Sequence, residues 1–275
     1  MNRVLIAAIG VSIVACSRQQ KLVEATPLPP EPPPAIDHAA SLSHYGYDAV
    51  LWQHASAEAY RLQQQGYELA RLRLTENLKV ADKRPPAVIV DIDETVLDNS
   101  PYQVDAAADG RIFDQATWKE WTDRSKAAAI PGAVEFLTYA HGLGCHIYYI
   151  TNRDIREKAT TLKNLDSLKF PDADEKHLLL MEGTSDKTER RARVANDNHV
   201  VLLVGDQLRD FDERFKDRTV NDGKNTVDLM ADTLARYFIL LPNPMYGTYR
   251  DAVQGKGTDE EKQRNMIDWF QRNRN

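Results

Sequence analysis

The stretch Ala87-Val-Ile-Val-Asp91-Ile-Asp93-Glu-Thr-Val-Leu-Asp-Asn-Ser100 decides how the rest of the chain is read. Ala87 to Val90 is a short, β-branched, apolar run, the pattern of a buried strand. It runs directly into Asp91 and Asp93, two carboxylates one residue apart, then into the turn-forming Asp98-Asn99-Ser100-Pro101. Acids this close at the end of an apolar strand are costly unless a cation or a reaction keeps them there. A strand entering a solvated acidic loop is the bland alternative. It loses ground because three later segments supply what a site at Asp91 and Asp93 needs.

Working outward, Pro131-Gly132 opens a helix through about His141, and strands and helices then alternate. Strands are expected at Cys145–Ile150, His177–Met181, Val200–Val204 and Phe238–Leu241, and helices at Arg153–Leu168, Asp186–Asn196, Thr226–Arg236 and Glu260–Arg272. Strands this apolar, each followed by a helix, imply an α/β fold, a Rossmann-like parallel sheet covered on both faces. Ligands of such sheets bind beyond the C-terminal strand ends, so what stands there is a test. The second strand ends in Thr151-Asn152-Arg153, a hydroxyl and an amide suited to a phosphate oxygen. After the third comes Gly183-Thr-Ser-Asp-Lys187, bringing a lysine to a helix start, and the fourth ends in Gly205-Asp206-Gln-Leu-Arg-Asp210. Each piece is weak alone; their order, one per strand end, is strong.

Upstream, Leu51, Ala55, Ala59, Leu62, Tyr67 and Leu72 recur at helical spacing between about Ser41 and Asn77, and Trp52 and Tyr60 are read as core. The stretch from Tyr102 to Lys126, with Trp118 and Trp121, reads as irregular. Residues 17–38, crowded with Pro27, Pro29, Pro30, Pro32, Pro33 and Pro34, form an extended tether. Ahead of it, Arg3 and the apolar Val4 to Ala15 have the layout of a signal segment too short to span a bilayer, ending in Ala15-Cys16. This resembles the lipobox of bacterial lipoproteins, which implies acylation of Cys16, a membrane lipid anchor, and, with Ser17 following, the outer membrane with the domain in the periplasm or at the cell surface. Residues 39–275 are then the folded domain. The remaining cysteine, Cys145, is read as a buried small hydrophobe. With 275 residues, 42% hydrophobic and 28% charged, the chain can bury an ample core, and its formal charge of −6 argues against nucleic acid as a partner.

The strand-end residues make one coherent chemistry. A carboxylate can attack phosphorus and split one hard displacement into two. Mg²⁺ takes oxygen ligands and offsets charge on carboxylate and phosphate alike. A lysine and a hydroxyl stabilise the equatorial oxygens, and a second acid handles the leaving-group proton.

Asp91-Ile-Asp93-Glu-Thr, Thr151-Asn-Arg, Lys187 and Gly205-Asp206…Asp210 resemble the four ordered motifs of the haloacid-dehalogenase-like (HAD) phosphatases. Asp91 through Tyr102, Pro131-Gly-Ala-Val-Glu-Phe136 and Leu241-Pro-Asn-Pro-Met-Tyr-Gly247 narrow the likeness to the class C acid phosphatases, bacterial lipoprotein 5′-nucleotidases. The resemblance implies a HAD-like core with a small, mainly helical cap or accessory part at about 41–80 and 102–130. It makes Asp91 the nucleophile and a Mg²⁺ ligand, Asp93 the general acid/base and a ligand through its carbonyl, and Asp206 the third protein ligand. Asp210 falls behind these, orienting a water or Lys187, while Thr151, Asn152 and Lys187 hold phosphate and Tyr102 and Tyr246 sandwich a nucleobase. Nucleoside monophosphates are the implied substrates, and a homodimer the implied assembly. Gln207 and Arg209 depart from the family pattern, which puts specificity in doubt more than chemistry.

Three rivals stand beside this reading. A metal-dependent glycosyltransferase also uses Asp-x-Asp but does not call for Lys187 or the Gly205-Asp206 strand end. A phosphotransferase shares the chemistry and differs only in acceptor. A non-enzymatic surface-binding lipoprotein would tolerate loss of the acids.

Overall fold

The computed structural model describes residues 38–274; the signal segment, Cys16 and nearly all of the tether lie outside the described residues. Five strands make one sheet: β1 (Pro86–Val90), β4 (His146–Asp154), β5 (Leu178–Met181), β6 (His199–Gly205) and β7 (Phe238–Leu240). Their order is β5-β4-β1-β6-β7, and every neighbouring pair is parallel. β1 is therefore central, and the strand order reverses around it. A two-residue antiparallel pair, β2 (Leu97–Asp98) and β3 (Ala128–Ala129), closes the loop beyond β1. The sheet expected from the sequence is present, with β4 running four residues further than the apolar run indicates.

Twelve helices accompany the strands among the described residues. Ahead of β1 come α1 (His38–His44), α2 (Tyr47–Ala55) and α3 (Ala57–Asn77). Between β2 and β3 lie α4 (Ser100–Ala108) and α5 (Gln115–Asp123), where the residue pattern reads as irregular and the family resemblance implies a helical accessory part; Asp114 caps α5 by accepting from the amides of Ala116 and Thr117. The others are α6 (Ala133–Gly142), α7 (Lys158–Ser167), α8 (Thr188–Asp197), α9 (Lys224–Leu229), α10 (Ala231–Tyr237), α11 (Thr248–Gln254) and α12 (Asp259–Arg272). None of these helices is long and apolar enough to cross a membrane.

Alternation along β1 divides the core. Val88 and Val90 join the large cluster with Leu74 of α3, Phe136 and Leu137 of α6 and Leu165 of α7. Ala87 and Ile89 turn to the smaller cluster with Tyr148, Ile150 and Val194 of α8. Cys145 is buried in the large cluster, and burial pushes its thiol up to about 11, so it is inert as expected.

One expectation fails on α2 and α3. Ala59 and Tyr67 are buried, but Leu51, Leu62 and Leu72 are exposed, as is Tyr60 at 55%. The buried stripe is instead Ala59, Gln63, Tyr67, Ala70, Leu74 and Asn77. Leucines occur all round this helix, so periodicity alone cannot choose the inner face. Close approach favours it: a Cβ on Gly66 would lie 2.3 Å from Leu241 Cδ2, so any larger residue would make the buried Leu241 side chain shift.

Asn77 fixes the end of α3. Buried to 1% exposure, it donates to the carbonyls of Val201 (2.9 Å) and Arg236 (3.0 Å) and accepts from Arg236 Nε (3.2 Å). Asn77→Ala should strand two buried carbonyls and cost about 2 kcal/mol, lowering the thermal midpoint by roughly 4–8 °C. A melting curve superimposable on that of the wild type would show that the tie between α3, β6 and α10 contributes nothing.

Candidate active site

Beyond the C-terminal ends of β1, β4 and β6, and beyond the loop after β5, the chain forms a cavity of about 1010 Å³. Asp91 follows β1 directly, its amide donating to Val204 O (3.0 Å). Past Asp91 the backbone turns sharply: the amides of Val96 and Leu97 both reach Ile92 O at 2.9 Å, and Glu94 sits at φ +56°. This turn brings Asp93 and Thr95 back over the strand ends.

Lys187 lies just before α8 and is 4% exposed. Its Nζ donates to Asp91 Oδ1 (2.5 Å) and Asp210 Oδ1 (2.7 Å). Asp210 Oδ2 accepts from the Gln207 amide (2.9 Å), so both its oxygens are engaged. Gly205 makes this possible, because a Cβ there would lie 2.5 Å from Asp210 Oδ2. Asp206 accepts from Asn243 Nδ2 (2.7 Å), Gln207 Nε2 (2.9 Å) and more distantly Thr95 Oγ1 (3.4 Å). Asp93 faces Arg153, whose Nε and Nη2 approach Oδ1 at 3.0 and 2.7 Å, and accepts from Asn99 Nδ2 (2.9 Å).

Oxygen atoms of Asp91, Asp206 and Asp210 lie within 4.8 Å of one another, and all three residues are buried. Burial lifts Asp91 well above the usual carboxylate range; Lys187 pulls the other way, and Asp210, Asp206 and Asp93 push it further up. Burial and then Asp210 lift Asp206 to about 7, against hydrogen bonds from Asn243 and Gln207. Burial opposes charge on Lys187, but Asp210 and Asp91 outweigh it and hold its pKa above the ordinary lysine value. One ammonium cannot balance three carboxylates: ionised together they keep two negative charges in excess. An all-oxygen donor set with that excess fits a hard divalent cation. Asp91 and Asp206 have the capacity to hold it, while Asp210, with both oxygens taken, fits behind them.

Of the other residues singled out in the sequence, Asn152 and Tyr246 line the cavity. Asn152 Oδ1 accepts from Arg190 Nη2 (2.7 Å), which leaves its amide nitrogen to offer an anion. Thr151 does not line it: fully buried, its Oγ1 accepts from the Arg153 amide (3.1 Å) and its carbonyl from Arg190, so it braces the loop that presents Asn152 and Arg153. Tyr102 does not line it either. At 4% exposure it faces α5, its hydroxyl 3.2 Å from Thr117 Oγ1 and its ring edge-on to Trp118 at 5.2 Å. Trp118 and Phe113 line the wall instead. Arg153, Asn99 and Asn243 lie within the quoted motifs but were assigned no role there; Asn99 meets Asp93 only six residues away, whereas Arg153 and Asn243 meet partners 60 and 37 residues away.

The profile of the HAD superfamily, subfamily IIIB (acid phosphatase), matches residues 19–249. The chain belongs to this family. The structure superposes on the class C acid phosphatase from Bacillus anthracis with a TM-score of 0.78 and 34% identity, covering 82% of this chain and 97% of that one. A second structure of that enzyme, with tungstate bound, matches equally well. Acid phosphatase 1 of Solanum lycopersicum is 27% identical over 166 residues, 58% of this chain and 57% of that protein. The stem 31 kDa glycoprotein of Glycine max is 26% identical over 166 residues, 58% of each. The chain thus spans little more than half the length of these two plant relatives.

The raised Asp206 gives the cation site of this family member a pH signature. Without a cation Asp206 binds its proton up to about pH 7, far above an ordinary aspartate, so a cation must displace that proton. Divalent-cation affinity should therefore fall as pH drops below 7, by up to about tenfold per unit. The thermal stabilisation given by the cation should be larger at about pH 7 than at about pH 5. Equal gains at both would mean that Asp206 does not take part.

Proposed function

We propose that the protein is a Mg²⁺-dependent phosphomonoesterase of the acid phosphatase type, working through a phosphoryl group carried on Asp91. What carries this reading is the buried Asp91–Lys187–Asp210 triplet beside Asp206, at the ends of parallel strands. The cavity's charge supports it: nine Lys and Arg line it against seven Asp and Glu, in a chain of net charge −6. A cation would tilt the balance further towards anionic ligands. Tungstate, which binds the Bacillus anthracis enzyme, is a tetrahedral oxyanion like phosphate.

Asp91 and Asp206 would hold Mg²⁺, with the Asp93 carbonyl as a further donor. The ion would supply charge neutralisation between the Asp91 carboxylate and the incoming phosphate. Asp91 attacks phosphorus and the bond to the leaving oxygen breaks, while Asp93 gives that oxygen its proton. Asp93 then takes a proton from a water that attacks the aspartyl phosphate, releasing phosphate and restoring Asp91. Lys187 leaves its resting contact with Asp91 to share a phosphate oxygen, and Asn152 binds another. Arg153 and Asn99 hold Asp93 in line. Trp118 and Tyr246 form the walls against which a nucleobase would stack, with Tyr102 supporting Trp118; nucleoside monophosphates are the substrates this shape suits.

A panel of phosphomonoesters assayed with and without EDTA tests the activity. Asp91→Asn should lower turnover by roughly three orders of magnitude or more with an unchanged circular dichroism spectrum. Undiminished activity after full metal removal, or in Asp91→Asn, would sink the mechanism. Trp118→Ala should raise KM for nucleotides more than for small aliphatic phosphates; equal effects would remove the stacking role. An added alcohol competing with water for the phosphoryl group would indicate a phosphotransferase, and absence of turnover on every ester would favour a binding lipoprotein.

The membrane anchor is part of the same proposal. Acylation at Cys16 would hold the domain at the outer membrane, and Cys16→Ser should release it into the soluble fraction. A homodimer belongs here too, supported by the exposed Leu51, Leu62, Leu72 and Tyr60 surface of α2 and α3; a monomer in sedimentation equilibrium would exclude it.

A further inference from the structure

At the opposite end of the sheet, His146 opens β4, His177 immediately precedes β5, and Asp172 lies in the loop after α7. One donor atom from each lies within 4.8 Å of the other two. These residues share no side chain with the cavity at the C-terminal strand ends.

His177 is 6% exposed, and its Nε2 is buried without a hydrogen-bond partner. Its other nitrogen, Nδ1, is 2.8 Å from Asp174 Oδ1. That carboxylate can only accept, so it places the proton on Nδ1 and leaves the Nε2 lone pair bare. A buried acceptor without a donor costs about 1–3 kcal/mol. A carboxylate holding one imidazole nitrogen while the other stays open is the arrangement that orients a metal-binding histidine. Asp172 is prepared in the same way: Oδ2 accepts from the Ile147 amide (2.8 Å), and Oδ1 is 3.5 Å from Nε2 of His141 in the last turn of α6. The rings of His146 and His177 lie with centroids 5.9 Å apart and planes 19° apart.

We propose that His146, His177 and Asp172, with His141 as fourth donor, form a transition-metal site distinct from the active centre, of the Zn²⁺ class. Imidazole-rich donors select a borderline-soft ion, whereas the all-oxygen Asp91 cluster selects a hard one. Tetrahedral zinc spaces its donors by roughly 3.3 Å, so donors within 4.8 Å of one another need to close by at most about 1.5 Å. His141 is half-exposed and His146 partly so, which leaves them free to swing in. The bound ion would tie the edge strand β5 to β4, α6 and the Asp172 loop.

The test is Zn²⁺ alone, titrated calorimetrically into the EDTA-treated full chain without a histidine tag, in an Asp206→Asn background that weakens the active centre. One Zn²⁺ per chain should bind and resist a large excess of Mg²⁺. Asp174→Asn should weaken it about 10–100-fold, and His146→Ala and His177→Gln at least as much. Co²⁺ should give visible d–d bands that vanish in His146→Ala, a substitution at a partly exposed side chain that keeps the test open if His177→Gln misfolds. Absence of Zn²⁺ binding in the Asp206→Asn chain, or equal affinity in the His146→Ala chain, would overturn the proposal.

Discussion

A single buried ammonium, Lys187, held between the carboxylates of Asp91 and Asp210, is the contact on which the rest of the active centre depends. Removing three carboxylates from water is tolerable only where opposite charge is supplied, and the fold supplies one unit where two or three are needed. Burial, with the neighbouring carboxylates behind it, keeps Asp91 and Asp206 high in pKa.

The architecture explains how these groups meet. Asp91, Thr151, Lys187 and Asp206, successively 60, 36 and 19 residues apart, converge because each sits at the C-terminal end of a parallel strand or in the loop after one. β1, buried on both faces between α3, α6 and α8, gives Asp91 a rigid base, and the turn with Glu94 at φ +56° returns Asp93 to Arg153. Gly205 gives up a side chain so that Asp210 can fold back over the end of β6. Burial also lifts the pKa of Glu94 far up, with Asp93 adding to it; its Oε1 accepts from the Asn99 amide, which braces the residue that in turn holds Asp93.

What could be read in the sequence was local. The β-branched runs, the strand-end acids and the lysine before α8 are each written within a few residues, so the parallel sheet and the Asp91, Lys187, Asp206 and Asp210 set were legible. Arg153 against Asp93, Asn243 against Asp206 and Arg190 against Asn152 join residues 37 to 60 positions apart, and no pattern in the chain announces them. Tyr102, to which the family resemblance gives a stacking role, instead faces α5 from within α4, and Trp118 lines the cavity. On α3 the apolar residues are too evenly spread for periodicity to find the face that Gly66 and Ala70 select by close approach. Helices α4 and α5 were implied only by the family resemblance, because Gly110 and the turn residues around it break the residue pattern.

In the proposed reaction Asp91 carries the phosphoryl group. Rapid mixing with a phosphate ester labelled at phosphorus, an acid quench and peptide mapping address it directly. Transient label is expected on the peptide containing Asp91, lost to hydroxylamine and chased by unlabelled substrate. Full turnover with label on another side chain, or with none trapped at any time, would contradict it.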